Sequence, residues 1–183
     1  MAGTPERVVR RESAALHTAA KMEAYLDIET TGLSPFADRI TVVGIYRQVL
    51  PQGFELIQLV GNEISSESLL RALDGIGTLY TYNGARFDLV FIEAWLQVAL
   101  QSLLLHRDLM YDCWRQGLYG GFKAVEQLLG IERTLQGVTG RQAVDLWWRY
   151  VRRGDEEALS TLLEYNREDC VNLKELRERL HVV

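Results

Sequence analysis

The sequence is poor in the residues that mark disulfide frameworks, histidine metal sites and membrane spans. It has two cysteines, Cys113 and Cys170, which form neither a framework nor a CxxC pair. That excludes a disulfide-stapled scaffold and favours a reduced, cytoplasmic chain. Its three histidines, His17, His106 and His181, lack ligand spacing and read as structural or surface residues. No run of eighteen apolar residues occurs, which argues against a spanning helix. Arg7, Arg10 and Arg11 stand near the start without an apolar stretch to follow, which argues against a secretory signal. Repeats and low-complexity tracts are missing too. Positive charge is not in excess: the net charge is -5. A broad grip on duplex phosphates wants a basic surface, so that class is disfavoured. An enzyme that holds a few nucleotides and borrows positive charge from metal ions is not.

What is present is ordinary globular material. Hydrophobic residues make up 48% and charged residues 25% of 183 positions, enough for one sizeable core and one domain. Residues 1–21 read as an N-terminal arm, in part disordered. Residues 22–183 read as the domain. Strands are expected over 24–28, 40–46, 54–60 and 78–82, with a turn at 51–53. A helix capped by Ser65 or Ser66 should run to Leu73. Helices are then expected over 87–101, 122–129, 139–151 and 155–180, with a last short strand within 103–110. Strands first and helices later suggest a mixed sheet covered by helices, an α/β architecture.

Four acids stand where acids are costly. Asp27 and Glu29 share one face of an apolar strand, because strand side chains alternate. They repel each other and resist burial; a divalent cation removes both problems, whereas a strand end emerging into water would need none. Asp88 opens a helix and points within about 60° of Phe91, Ile92, Trp95 and Ala99 on the helical wheel. A first-turn acid suits the helix dipole, but that does not explain an inward direction. Tyr165 and Asp169 lie four apart on one helix face. Asp169 falls within about 40° of Leu162, Leu173, Leu176 and Leu180. The neighbouring Glu168 points about 100° away and reads as a solvated acid. For Asp169 alone, an arginine partner and a metal remain equal alternatives. A purely structural protein would pair both Asp27 and Asp169 with arginines. Oxygen-only ligands favour Mg2+ or Mn2+.

Asp27-Ile28-Glu29-Thr30-Thr31-Gly32-Leu33, Asn83 through Asp88, and Tyr165-Asn166-Arg167-Glu168-Asp169 resemble, in this order, the three motifs of the DEDD exonuclease superfamily. The last is in its tyrosine form. The segment from Gly121 to Gly130, followed by the stretch from Trp147 to Asp169, is similar to the YprB-like branch of ribonuclease H-like exonucleases. The resemblance implies an RNase H-like fold, a mixed β-sheet flanked by α-helices. It implies 3′→5′ hydrolysis of single-stranded DNA or RNA with two divalent cations, Mg2+ or Mn2+. Asp27 would bridge both ions, Glu29 and Asp169 would complete one, and Asp88 would hold the other. Tyr165 would orient the attacking water. Thr30, Thr31, Gly32 and Leu33 would line the terminal nucleotide, with Asn83 and Phe87 supporting the pocket. Alternatives are an endonuclease or structure-specific nuclease on the same site, or a nucleic-acid-binding module without catalysis. Arg141 to Arg153, with Trp147, Trp148 and Tyr150 interleaved, is either a stacking surface for a single strand or a helix with aromatic core contacts.

Overall fold

A computed structural model describes residues 22–182 except Gln52 and Gln136. The arm expected over residues 1–21 lies outside the described residues, as does His17. Five strands form one mixed sheet in the order β3-β2-β1-β4-β5. They are β1 (Met22–Thr30), β2 (Ile40–Gln48), β3 (Phe54–Val60), β4 (Ile76–Thr81) and β5 (Leu105–Asp108). β1 runs antiparallel to β2 and parallel to β4. The helices are α1 (Ser66–Ala72), α2 (Asp88–Leu96), α3 (Leu100–Leu103), α4 (Leu109–Arg115), α5 (Phe122–Leu129), α6 (Gly140–Arg153) and α7 (Glu156–Arg179). Among the described residues, no helix is long and apolar enough to cross a membrane.

Alternation along β1 sorts the core into two layers. Ala24, Leu26 and Ile28 point into one cluster with Leu69 of α1 and Phe91 and Ile92 of α2. Tyr25 points the other way, into a cluster with Leu173 and Leu176 of α7. Asp27 and Glu29 continue the Tyr25 face, so the strand aims both carboxylates at α7. α7 lies across β1 and β2, with α6 packed on it. Gly44 permits this approach. It sits opposite Asp27 in the β1–β2 ladder. A Cβ there would overlap Asn166 Oδ1 and come within 2.6 Å of Cys170 Sγ.

Several boundaries follow local chemistry. Ser65 caps α1 by accepting from Ser68 N, Thr139 caps α6 and Asp155 caps α7. Gly130 ends α5 in the left-handed region, where glycine carries no steric cost. The helix expected over 87–101 is in fact two. α2 stops at Gln97, which is left-handed (φ 55°), and α3 follows as a separate turn. Trp95, expected on the inward face of this helix, is 41% exposed and donates from Nε1 to Asp38 O at 2.9 Å. Apolar residues surround α2 on all sides, so period alone could not choose its buried face. α4 has no counterpart among the expected elements.

Candidate metal centre

Three of the four acids converge. One carboxylate oxygen each from Asp27, Glu29 and Asp169 lies within 4.8 Å of the others. β1 supplies two and α7 the third. Asp88 stands beside this group, but it is engaged with backbone. Its Oδ1 accepts from Ile28 N at 3.1 Å. The β1–β4 pairing reaches only to Tyr25, so β1 runs past its parallel neighbour there. Asp88 at the start of α2 takes an amide that the ladder leaves over.

The electrostatics follow from crowding in a poorly hydrated place. Burial first, then Asp169, Glu29 and Asp88, push the Asp27 carboxyl well above the usual range. Burial, Asp169 and Asp88 do the same to Glu29. Asp88 is pushed up to about 7, chiefly by burial, although amide hydrogen bonds pull it down. Asp169 is pushed up to about 6, burial outweighing the opposing pull of Arg133. Glu29 Oε1 is buried with no hydrogen-bond partner among the described residues. A buried anionic oxygen left so is expensive, and a cation is the remedy that suits its neighbours.

The arginine alternative is half realised. Asp169 pairs with Arg133. Asp27 pairs with no arginine among the described residues; its Oδ2 accepts from Asn166 Nδ2 at 3.0 Å, and its carbonyl accepts from the same amide at 3.2 Å. Asn166 is fully buried, and Gln58 Nε2 donates to its Oδ1 at 3.0 Å, which fixes the amide's orientation. Asn166 precedes Asp169 by three and therefore shares its face of α7, a signal present in the sequence. Tyr165 is buried at the same place, with Lys123 Nζ 4.3 Å from its ring centroid. Burial, Asp169 and Glu29 push its phenol up, so it stays protonated.

Two clefts meet at these acids. The larger, about 650 Å³, is lined by Asp27, Glu29, Thr30, Gly32, Leu33 and Phe87 on one side. Arg141, Val144 and Asp145 of α6 face them. The smaller, about 340 Å³, shares Asp27, Gly140, Tyr165 and Asp169 and adds Tyr82, Phe122 and Lys123. Leu33 stands 85% exposed at the rim. Thr31 and Asn83 do not line these clefts. Thr31 donates its hydroxyl to Asp38 Oδ1 at 3.2 Å and accepts Arg39 N, bracing the 31–39 loop. Asn83 is left-handed (φ 61°), and its N–H goes to Asp108 Oδ1 at 2.7 Å. Asp108 also accepts from Ala85 N and Met110 N, which shapes the turn before α2.

Other expectations divide. Glu168 is not solvated: it is buried, and its Oε1 accepts from Thr134 N at 2.6 Å and Leu135 N at 3.1 Å. A helical wheel could not see the 131–139 connection folding over that flank. Trp147 packs against a core cluster, so this one ring of α6 is a core contact. Arg149 pairs with Asp155, and Arg152 lies over Trp148. Cys170 is fully buried with its thiol pushed up, a core residue. His106 bonds Thr81 Oγ1 at 2.9 Å. Lys123, Glu126, Arg133 and Asn166 stand at or behind the acids with no role expected from the sequence.

Residues 24–181 match the family model described as RNase_H superfamily, and the chain belongs to that superfamily. No curated protein matches it. Among solved structures, it is similar to the family B DNA polymerase of Pyrobaculum calidifontis, with a TM-score of 0.65 and 14% identity. That match covers 87% of this chain and 24% of the polymerase, so the chain spans about a quarter of that protein. It is also similar to a structure described as the apo form of a nuclease, with a TM-score of 0.56 and 20% identity. There the match covers 86% of this chain and 70% of the other. These likenesses establish the α/β, RNase H-like fold.

Proposed function

We propose that the chain is a metal-dependent 3′→5′ exonuclease of the DEDD type with a tyrosine in its last motif, acting on single-stranded DNA or RNA. The observation that carries this reading is the buried, unpartnered Oε1 of Glu29 in a cluster with Asp27 and Asp169. The formal charges sharpen it. Asp27, Glu29, Asp88 and Asp169 face Lys123 and Arg133, and Arg133 is already shared with Glu126. The site therefore keeps an excess of negative charge that its own side chains do not balance.

An all-oxygen donor set fits Mg2+ or Mn2+ rather than Zn2+. Asp27, Glu29 and Asp169 would hold one ion, and Asp27 with Asp88 a second. Bound there, such ions would favour ionisation of the attacking water and stabilise the departing oxygen. The chain's own groups prepare the ground. Asn166 holds Asp27 through one hydrogen bond to its carboxylate and one to its carbonyl. Asp88 would have to share its second oxygen, since Oδ1 is committed to Ile28 N. The Tyr165 hydroxyl, kept protonated, would orient water rather than act as a base. The larger cleft falls in the usual range of ligand sites, about 300–1,000 Å³. Thr30, Gly32, Leu33 and Phe87 would form the wall for a terminal nucleotide, and Lys123 in the smaller cleft would meet a phosphate.

The test is degradation of 3′-labelled and 5′-labelled single-stranded DNA and RNA, with Mn2+ or EDTA. Wild type should release mononucleotides from the 3′ end only with metal. Asp27→Ala should lower the rate by at least about a hundredfold, above the usual range for losing a residue behind the ligands. Longer fragments would replace the exonuclease with an endonuclease. No cleavage of any substrate would leave a binding module.

A further inference from the structure

Behind the acids stands a cation that lines neither cleft. Arg133 lies in the connection after α5, and its side chain is 11% exposed. Its Nε donates to Glu126 Oε2 at 2.6 Å and its Nη2 to Glu126 Oε1 at 2.8 Å. The same Nη2 donates to Asp169 Oδ1. Glu126 is buried and accepts from Asn172 Nδ2 at 2.8 Å, so its own position is held from α7. The guanidinium carbon lies 5.6 Å from the Phe122 ring centroid and 5.8 Å from that of Tyr165. Arg133 lines neither cleft at the acids. It lines a neighbouring cavity of about 530 Å³ with Glu126, Ile131 and Leu135, which meets the smaller cleft at Lys123 and Thr139.

An ordinary ion pair would remove Asp169 from chemistry by neutralising it. Charge and geometry argue otherwise. Glu126 takes two of the guanidinium's hydrogen bonds, so the Arg133 charge is shared between two acids, and Asp169 receives an oriented N–H with only part of that charge. That bond uses one oxygen of a carboxylate that has two. The fork of an arginine is suited to this: one plane serves two acids, with the doubly bonded Glu126 fixing the plane.

We propose that Arg133, fixed by Glu126, is a positioning residue that sets the rotamer of Asp169 and buttresses the Tyr165 ring from behind. The inference rests on the metal reading of the acids. It assigns the 130–139 connection a part in the site that Arg133 plays without lining either cleft.

The test is Mn2+ titration of the full chain by calorimetry. Paired replacement Glu126→Gln with Arg133→Met removes one anion and one cation, so the local net charge is unchanged and orientation alone is lost. Mn2+ affinity should fall by roughly ten- to a hundredfold, the usual effect of losing a group that orients a metal ligand. The far-UV circular dichroism should stay that of wild type. Arg133→Lys keeps the charge without the fork and should lose affinity to a similar degree; it carries the test alone if the double variant does not fold. On an oligonucleotide, kcat should fall with KM unchanged, because Arg133 does not line the clefts. Variants whose isotherms superimpose on that of wild type would overturn the inference and leave the metal centre standing. A wild type that binds no Mn2+ would overturn both.

Discussion

A carboxyl group that ionises only against burial and like-charged neighbours keeps its proton to higher pH, and that has a sign. Asp88 holds its proton up to about 7 and Asp169 to about 6, whereas an unfolded aspartate releases it near about 3.9. Between those values the folded chain binds more protons than the unfolded one. Stability contributed by these groups is therefore complete at acid pH and lost as pH rises through 6 and 7. In EDTA, the melting temperature should fall from about pH 5 to about pH 8. Glu164, held low by Arg167, and Asp155, held low by Ala158 N and Arg149, carry the opposite sign. Their window lies at acid pH, below the usual carboxylate range; His106, held low by burial, opposes the fall only below its ordinary value of about 6.5, so the effect is clearest above that. A melting temperature that climbs across neutral pH would mean that the acids are charged and well paired. The same protons must leave when a metal binds, so Mn2+ affinity should rise over that interval.

At the scale of elements, the site depends on how closely α7 can lie on the sheet. Gly44 sets that distance, since any Cβ would strike Asn166 and Cys170. Gly44→Ala should cost about 1–3 kcal/mol through overpacking, read in chemical denaturation. It should also disturb the Asn166 bonds to Asp27, lowering nuclease activity more than global stability alone would. A variant as stable and active as wild type would mean that α7 has slack here. Much of this arrangement was legible beforehand, because it is local. Alternation put Asp27 and Glu29 on one face, and the helical period put Asp169 and Tyr165 among Leu162, Leu173 and Leu176. The cap at Ser65 and the stop at Gly130 were readable as residue chemistry. What was not legible depends on contacts between distant segments. Gln97 breaks a helix whose apolar pattern continues through it. Glu168 is buried by a connection that no wheel includes. Arg133 carries no pattern in its own neighbourhood, and only the fold brings it to Glu126 and Asp169.

For the whole molecule, the acids join pieces that are far apart in sequence: the central strand, the helix that follows β4, and the last helix. Such a cluster works against the fold until a cation draws it together. A ligand that binds only the folded chain stabilises it by mass action, about 2.7 kcal/mol at a hundred times its dissociation constant. For a domain of this size that is roughly 5–10 °C, at about 2–4 °C per kcal/mol. Mn2+ should therefore raise the melting temperature of wild type by that order. Glu29→Gln should behave in the opposite way on both counts. It removes one charge from the crowd, so in EDTA above neutral pH it should melt higher than wild type. It also removes a ligand, so Mn2+ should add little. Thermal melts of both proteins, with EDTA and with Mn2+, separate the two terms. A variant that melts lower in EDTA and still responds to Mn2+ would show that Glu29 is held by the fold for packing, and that the cation is bound without it.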